Sequence, residues 1–288
     1  MHSIELIPGS ARSFVPRYRR PPHLVEAIER QAEELLKKGK VQPSTSASGH
    51  NPLLAKKNDG SWRMCVDFKP PNKITVKQKF PMHRVEEILD RLQDSAVYSA
   101  FEFAEAFLQI PIHPEGRHKT AFYTRPRKLE YTCMPFGLVN PPTELQRQLN
   151  HDFLGPIAEG LMVIYIDDVL VLSRNLQGHL QHLRRALRLL REKQWFVKTQ
   201  KCLFFMQTIS FLGFHVSAAG VEPDPAKIEA IQRWPLPLYT RTDVQKFVGL
   251  ASYHHNFIPG FASIAAPLTG LLKKEEQFIW TENDDEAA

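Results

Sequence analysis

The chain of 288 residues and 33.1 kDa is about twice the size of a typical single domain, so two or three packed units are expected. Its 43% apolar and 24% charged residues exclude a disordered chain, and the lack of any apolar run of about 20 residues excludes an integral membrane protein. The net charge of +6 favours a polyanionic partner but does not establish one.

The N-terminal third begins with an amphipathic helix. Apolar residues recur at helical spacing over His23–Lys38, and Gly39 is a natural stop for that helix. The stretch Gln42–Asn51 is rich in Ser, Thr and Gly and is predicted to be a loop. These features predict a helix that leads through a loop into the next element.

A β-hairpin follows this loop. Strands are predicted over Leu53–Ala55 and Arg63–Phe68, joined by a turn at Asn58-Asp59-Gly60. Three basic side chains flank the turn: Lys56, Lys57 and Arg63. A solvated hairpin end and a phosphate-binding site both account for them, and the hairpin alone does not decide between the two.

The middle of the chain contains a strand that carries an acid. Residues alternate between two faces over Val97–Phe103, and Glu102 lies within this apolar strand. An acid there costs stability unless it is exposed, paired or bound to a metal ion. A helix is then predicted over Gly178–Lys193, with four leucines at helical spacing (Leu180, Leu183, Leu187 and Leu190) and a basic face that is most simply a solvated one.

The texture of the sequence changes near its last quarter. After Gly220, prolines recur between short predicted helices such as Pro225–Arg233 and Asp243–His254. We therefore predict one domain over residues 1–217 and a second over 218–288. The three cysteines, Cys65, Cys133 and Cys202, are far apart and form no CxxC pair, so we expect reduced thiols in an intracellular protein. The first residues show no secretory signal pattern.

The most informative segment is LMVIYIDDVLVLS at 161–173. Two apolar, β-branched strands flank Asp167 and Asp168, which places both acids at or beside a tight hairpin turn. Adjacent buried carboxylates repel each other unless cations or donors balance them. A divalent-metal site is therefore favoured over a plain turn, and Glu102 is the natural third ligand of two Mg²⁺ ions.

The sequence resembles the reverse transcriptase region of a gypsy-type LTR retrotransposon Pol polyprotein, related to the retroviral polymerases. Eleven segments carry the resemblance in family order: HSIELIPGSARSFVPRYRRPP, LLKKGKVQPSTS, KKNDGSWRMCVDFKPPNKIT, FPMHRVEEILDRL, YSAFEFAEAFLQIPI, KTAFYT, MPFGLVNPPTELQ, YIDDVLVLS, KCLFF, FLGFHVS and WPLPLYTRTDVQKFVGLASYHHNFIPGFASIAAPLTGLL. Any one of them is weak, but eleven in register are strong.

This resemblance implies an α+β right-hand polymerase fold. Fingers and a palm with an antiparallel sheet would occupy residues 1–217, and a helical thumb or connection would occupy 218–288, with no RNase H domain after Trp280. The implied reaction is RNA-directed DNA synthesis: a primer 3′-hydroxyl attacks the α-phosphate of a dNTP and releases pyrophosphate. The implied cofactors are two Mg²⁺ ions, with Mn²⁺ as a substitute. The implied partners are dNTPs and an RNA or DNA template with its primer, with no membrane. The place of action would be intracellular: cytoplasm, nucleus or a virus-like particle.

The resemblance assigns the catalytic and metal-binding roles residue by residue. Asp167 and Asp168 match the YxDD carboxylates of the family, and Glu102 stands where the family has the first palm aspartate. Lys201 matches a lysine near the leaving pyrophosphate. These four residues form the implied catalytic group, and the three acids form the implied metal site.

Further roles follow for the substrates. Nucleotide binding is implied for five residues: Lys56, Arg63, Phe107, Phe136 and Gly137. Of these, Lys56 and Arg63 would clamp the triphosphate, with Lys57 one position away as the alternative to Lys56. Phe107 would exclude a 2′-hydroxyl. A primer-grip hairpin is implied for three residues: Phe211, Leu212 and Gly213.

Three departures from the family pattern bear on activity. Glu102 replaces an aspartate and extends its carboxylate by about 1 Å, a displacement that can cost ~10²-fold in rate. Pro141 and Glu144 replace small or apolar residues. The chain is therefore expected to be either an active polymerase, a catalytically impaired or domesticated nucleic-acid-binding remnant, or an inert fragment.

Overall fold

The computed structural model describes residues 1–11, 13–56, 60, 62–82, 84–92, 94–273 and 278–288. These residues form two compact units, Met1–Met206 and Gln207–Ala288. The units divide earlier in the chain than the boundary predicted after residue 217. The assignment of residues 1–217 to fingers and palm, and of 218–288 to a thumb or connection, stays a prediction. In the described part of the chain, no helix is both long and apolar enough to cross a membrane.

Helices occur in both units. In chain order, the described α-helices are α1 (Pro22–Lys37), α2 (Lys69–Ile74), α3 (Val85–Asp90), α4 (Pro114–Arg117), α5 (Pro141–Asp152), α6 (Leu154–Ala158), α7 (Leu176–Glu192), α8 (Pro225–Gln232), α9 (Arg241–Ser252), α10 (Phe261–Ile264), α11 (Ala266–Gly270) and α12 (Glu282–Ala287). Short 3₁₀ helices cover Ala106–Gln109, His118–Thr120, Thr199–Lys201 and His255–Phe257.

The strands of the described residues form four antiparallel sheets. In chain order they are β1 (Val41–Pro43), β2 (Pro52–Lys56), β3 (Trp62–Val66), β4 (Val97–Glu102), β5 (Phe122–Tyr123), β6 (Lys128–Tyr131), β7 (Met162–Tyr165), β8 (Asp168–Ser173), β9 (Leu203–Met206), β10 (Thr208–Phe211), β11 (Phe214–Ser217) and β12 (Gly220–Pro223). The sheet orders are β1-β6-β5, β2-β3, β7-β8-β4-β9 and β10-β11-β12.

The four-stranded sheet is the framework of the first unit. Its central strands β8 and β4 pair antiparallel from Val97 opposite Ser173 to Glu102 opposite Asp168. Helix α7 packs against both strands and buries Leu183 and Leu190. The apolar residues of β8 and Phe101 of β4 are almost wholly removed from water, and this core anchors the polar end of the pair.

The predicted early helix and hairpin are present with small changes in their ends. The loop predicted over Gln42–Asn51 is wrong at its start, because residues 42 and 43 belong to β1 and pair with β6. The first helix runs over Pro22–Lys37 rather than 23–38, and Gly39 follows it with a φ of 67°, a left-handed conformation that suits glycine. The predicted hairpin is β2–β3, and α1 packs against it. Lys57 and two residues of the predicted turn at 58–60, namely 58 and 59, lie outside the described residues, and Gly60 has a φ of 79°.

Helix α7 corrects one detail of the sequence prediction. The four leucines that recur at helical spacing divide into two pairs. Leu183 and Leu190 are buried, whereas Leu180 and Leu187 are 40% and 41% exposed. The buried face of α7 is completed instead by His179 and Ala186. The apolar spacing thus predicted the helix but not which side chains it buries. His179 takes a core position because its ring shares a 2.7 Å hydrogen bond with the buried hydroxyl of Ser99.

The second unit has its own small core. The β10-β11-β12 sheet spans residues 208–223, and the helices that follow bury four side chains together: Leu238, Val244, Phe247 and Leu268. The two predicted helical pieces appear as Pro225–Gln232 and Arg241–Ser252. Each begins at a side-chain cap, Asp224 for α8 and Thr240 for α9, which satisfies backbone N–H groups at the helix start.

Candidate functional site

Three acids meet where β4 ends beside the β7–β8 hairpin. Glu102 is the last residue of β4 and lies directly opposite Asp168, the first residue of β8. Asp168 also pairs with Tyr165 across the hairpin, so Ile166 and Asp167 form its two-residue turn. The Phe103 N–H donates to the Asp167 carbonyl at 3.1 Å. The structure therefore brings the acids of two distant segments to one edge of the sheet.

Glu102 is balanced by two lysines. The Lys198 ammonium donates to its Oε1 and the Lys201 ammonium to its Oε2, and the Glu102 side chain is only 19% exposed. The Lys198 N–H also donates to the Glu102 carbonyl at 2.8 Å, which fixes the two segments side by side. Burial alone would raise the pKa of Glu102, but these hydrogen bonds and charges outweigh it and lower that pKa.

Asp168 is in the opposite electrostatic position. Burial first, and then the negative charges of Asp167 and Glu102, raise the pKa of Asp168 to about 6. Like charges opposite one another on a sheet are destabilising. Within the described residues, no side-chain hydrogen bond or ion pair engages Asp167 or Asp168. Lys201 and Lys198 act on Asp168 only through space and only partly offset this rise. The turn therefore carries negative charge that no direct ion pair of the described residues balances.

The metal-binding role predicted for Glu102, Asp167 and Asp168 stays a prediction. Among the described residues, no three His, Cys, Asp or Glu side chains are grouped to hold a metal ion. Both oxygens of Glu102 accept from ammonium groups. Asp167 and Asp168 have the chemistry that suits a divalent cation, since they offer hard oxygen donors that no direct ion pair of the described residues engages.

A cavity of 420 Å³ lies near this edge in the first unit. Arg63, Phe136 and Lys198 line it together with Glu105 and the C-terminal half of α1. Phe107 stands beside it, because its ring packs edge-on against Phe136 with centroids 5.0 Å apart. Two of the five predicted nucleotide-binding residues thus line the cavity, and Phe107 joins them by contact.

The other two predicted nucleotide-binding residues are placed by backbone geometry. Lys56 ends β2, is exposed, and lies opposite Trp62, the neighbour of Arg63. Gly137 has a φ of 94°, and a Cβ atom there would lie 3.1 Å from the Val66 carbonyl. Only glycine suits that conformation and that space. The loop containing Gly137 is tied down by the Asn72 amide, which donates to its carbonyl at 2.7 Å.

The predicted primer-grip residues form a tight hairpin in the second unit. Phe211 pairs with Phe214, and Leu212 and Gly213 between them both have positive φ, at 50° and 74°. The Tyr253 hydroxyl donates to the Leu212 carbonyl at 2.7 Å and steadies the turn. The hairpin predicted from the sequence is present, and its role as a primer grip stays a prediction.

The departures at Pro141 and Glu144 have structural explanations. Pro141 begins α5, at the first helical turn where a missing N–H costs nothing. Glu144 is 4% exposed but its carboxylate accepts two hydrogen bonds from the Arg147 guanidinium, at 3.0 and 2.6 Å. Neither residue disturbs the fold locally, so Glu102 is the departure that bears on the site.

Lys198 is the residue that the sequence analysis missed. It lies beyond the helix predicted over 178–193, and the sequence assigned it no role. One sequence feature could have identified Lys198. It lies three residues before Lys201, and the family resemblance implies that Lys201 lies near the site. A 3₁₀ turn at Thr199–Lys201 brings both ammonium groups to the same carboxylate.

The chain is similar in sequence to known proteins. Residues 55–216 match the family described as reverse transcriptase (RNA-dependent DNA polymerase). The Retrovirus-related Pol polyprotein from transposon 297 of Drosophila melanogaster is 33% identical over 257 residues, which cover 88% of this chain and 24% of that protein. The Transposon Tf2-3 polyprotein of Schizosaccharomyces pombe is 28% identical over 99% of this chain and 21% of that protein. The chain spans between a fifth and a quarter of these relatives.

Solved structures are similar over the whole chain. A foamy viral protease-reverse transcriptase in complex with double-stranded DNA has a TM-score of 0.88 at 23% identity, covering 100% of this chain and 50% of that one. The same kind of protein in complex with an RNA/DNA hybrid has a TM-score of 0.85 at 23% identity, covering 100% and 39%. This likeness confirms the α+β polymerase fold that the sequence predicted.

Proposed function

Because the chain belongs to the reverse transcriptase (RNA-dependent DNA polymerase) family, we propose that it catalyses template-directed addition of deoxynucleotides to a primer. In this reaction the primer 3′-hydroxyl attacks the α-phosphate of a dNTP, an O–P bond forms, and pyrophosphate leaves with its bonding electrons. The observation that carries the proposal is the pairing of Glu102 with Asp168 beside Asp167, which concentrates carboxylates at one sheet edge.

The carboxylates of the hairpin turn would hold the metal cofactor. Asp167 and Asp168 are the residues that fit divalent cations, two Mg²⁺ ions or Mn²⁺ in their place. When bound, such ions acidify the attacking hydroxyl and stabilise the negative charge that develops on phosphate and leaving group. Glu102 would contribute a ligand only after exchanging its lysine partners, since both of its oxygens accept from ammonium groups.

The cationic residues would bind the triphosphate. Arg63 and Lys198 line the 420 Å³ cavity, and Lys56 lies on the strand paired with that of Arg63. A guanidinium binds phosphate oxygens in a bidentate manner, and ammonium groups act as point charges. Lys201, held at Glu102, is the proposed partner of the leaving pyrophosphate. The charge of this group matches the polyanionic substrate.

Aromatic and glycine residues would shape the sugar pocket. Phe107 and Phe136 pack edge-on, which makes a rigid apolar wall beside the cavity. A rigid wall at the sugar would exclude a 2′-hydroxyl and favour dNTPs. Gly137, which has no room for a side chain, keeps the backbone of this wall close to Val66.

The proposed macromolecular partner is a primed RNA or DNA template. The structurally similar foamy viral proteins are described in complex with double-stranded DNA and with an RNA/DNA hybrid. The net charge of +6 suits such a polyanion. The turn at Phe211, Leu212 and Gly213 is proposed to contact the primer, and the place of action is proposed to be intracellular.

A second function is favoured by one observation at the site. Both carboxylate oxygens of Glu102 are engaged by lysines, which would exclude a cation from that side of the site. A chain in this condition would keep its affinity for primed template while adding nucleotides slowly or not at all. The alternative is therefore a catalytically impaired nucleic-acid-binding protein of the same fold.

Primer extension separates the two functions. Poly(rA) primed with oligo(dT) is incubated with dTTP in Mg²⁺ and, separately, in Mn²⁺, and the same preparation is tested for primer–template binding. An active polymerase extends the primer, and Asp167→Asn abolishes extension while the exposed control Asp94→Asn does not. Salt-dependent binding without extension in either metal would contradict the polymerase proposal and favour the binding protein.

A further inference from the structure

The turn that carries the two aspartates is strained. Ile166, the first of its two central residues, has a φ of 55°. A positive φ is uncommon outside glycine and is an outlier for a β-branched residue, whose side chain crowds the backbone there. Hairpin turns with positive φ at this position normally use glycine. Some other group must therefore hold Ile166 in this conformation, since its own preference opposes it.

The side-chain amide of Gln146 contacts this turn and the strand that precedes it. Gln146 lies on α5 and is 1% exposed. Its Oε1 accepts from the Ile166 N–H at 2.7 Å, and its Nε2 donates to the Ile164 carbonyl at 3.2 Å. Both partners are backbone groups of the β7–β8 hairpin, one on the strand and one in the turn. A single side chain thus fixes the turn relative to the strand that precedes it.

The orientation of that amide is also fixed. The Gln146 Nε2 donates a second hydrogen bond to the Asn150 Oδ1 at 2.8 Å, one helical turn further along α5. This bond keeps the NH₂ end away from the Ile166 N–H and leaves the oxygen facing it. Leu145 and Leu149, both fully buried, lock the helix in place on either side. All polar atoms of the amide are used in this buried site, as expected for a polar group held in a core.

We propose that Gln146 is a positioning residue for nucleotidyl transfer. Its amide stabilises the strained conformation of Ile166, and this conformation sets the direction of the neighbouring Asp167 and the start of β8 at Asp168. Without the amide, Ile166 relaxes to negative φ and the carboxylates move from their working positions. The catalytic consequence of this inference rests on the proposed polymerase function. The hydrogen bonds of Gln146 can be tested without that function.

The first test needs no activity. Hydrogen exchange of the Ile166 N–H is measured by NMR in the full chain and in Gln146→Met, which keeps the buried volume and removes both hydrogen-bonding ends. Exchange at Ile166 is expected to accelerate at least about tenfold, while the sheet amide of Leu170 stays protected. The matched control is Gln148→Met on the same helix, whose amide donates to the Asp152 carboxylate at 3.1 Å and not to the hairpin turn. Unchanged exchange at Ile166 would overturn the inference.

The second test asks whether strain is the cause. In primer extension, Gln146→Met is expected to lower kcat about 10²-fold with KM for dTTP changed less than about threefold, because misplaced groups impair chemistry more than binding. Adding Ile166→Gly to this variant is expected to raise kcat again by at least about tenfold, because glycine adopts positive φ without the Gln146 hydrogen bond. A general packing defect would lower the melting temperature and would not be rescued by glycine, so absence of rescue contradicts the inference.

The outcomes also separate this inference from the polymerase proposal. If the unchanged chain extends no primer, the polymerase proposal fails, and the exchange measurement still decides whether Gln146 holds the turn. If the unchanged chain extends and Gln146→Met extends equally well, the inference alone fails. Should Gln146→Met not fold, Asn150→Leu removes only the orienting bond, and a failure of that variant to accelerate exchange at Ile166 would count against the same inference.

Discussion

Two acidic segments meet at one sheet edge, and their charges are compensated in different ways. At the end of β4, both oxygens of Glu102 accept from Lys198 and Lys201. At the β7–β8 turn, the carboxylates of Asp167 and Asp168 have no such partners among the described residues, and the pKa of Asp168 is raised to about 6. Ion pairs with lysines thus balance the charge of Glu102, whereas the two aspartates have no direct partner among the described residues, and the proposed cation site depends on this difference.

The largest expected effect comes from shortening the acid of β4. Glu102→Asp removes one methylene, withdraws the carboxylate from the lysines and restores the residue type that the family resemblance implies. We expect extension to rise about 10²-fold, the cost associated with a displacement of about 1 Å. Steady-state primer extension measures this, with the exposed Glu115→Asp as the control of matched chemistry. Equal or lower activity in Glu102→Asp would show that the lysine pairing does not limit catalysis.

The next effect concerns repulsion at the turn. Asp168 holds its proton more tightly folded than unfolded, so its ionisation costs stability that grows as pH rises from about 4 through 6. We expect Asp168→Asn to raise the free energy of unfolding by about 2 kcal/mol at pH 8 in EDTA, after allowing for solvent screening. The gain should shrink toward zero at pH 4. Urea denaturation at both pH values measures it, and a destabilised variant at pH 8 would contradict the difference between the two segments.

A smaller effect is expected on cation binding. Lys198→Met removes one ammonium group from Glu102 and keeps the backbone bond between Lys198 and Glu102. Loss of a positive charge beside the acids should tighten Mn²⁺ binding about tenfold, which corresponds to about 1.4 kcal/mol. Isothermal titration calorimetry with Mn²⁺ tests this, and the exposed Lys193→Met serves as control. Weaker or unchanged Mn²⁺ binding would mean that Lys198 does not compete with the cation.

The smallest effect should come from an exposed pair in the same unit. Lys38 and Glu105 lie 3.3 Å apart with side chains 54% and 48% exposed. Water screens such a pair, so Lys38→Met should change the free energy of unfolding by less than about 0.5 kcal/mol. Urea denaturation at low and high salt checks this value. If Lys38→Met lowered the free energy of unfolding by more than about 1.5 kcal/mol, exposure to water would not explain the difference between this pair and the ion pairs of Glu102.

Much of the fold follows from local sequence patterns. Period-two alternation predicted the strand at 97–103, observed as Val97–Glu102, and apolar flanks predicted the hairpin around Asp167. The predicted resemblance to the reverse transcriptase region of a retrotransposon Pol polyprotein is confirmed, whereas the gypsy-type assignment stays a prediction. These features were predictable because turn residues and hydrophobic periodicity act over a few residues.

The charges and clamps of the site were not predictable in the same way. Lys198 reaches Glu102 only because residues 96 positions apart pair through the backbone, which no local pattern encodes. Gln146 was read as part of a family segment, and its contact with Ile166 depends on how α5 packs beneath β7. The metal role of Glu102 stays a prediction, and the pairing of its carboxylate with two lysines depends on tertiary packing that no local pattern shows.

The most direct test of the account is the location of the cation itself. Crystals of the full chain with primer–template and Mn²⁺, measured at a wavelength where manganese scatters anomalously, would place the ion without reference to activity. The account predicts an anomalous peak within coordination distance of the carboxylates of Asp167 and Asp168. Manganese bound only elsewhere, with both aspartates facing water or protein donors, would contradict it.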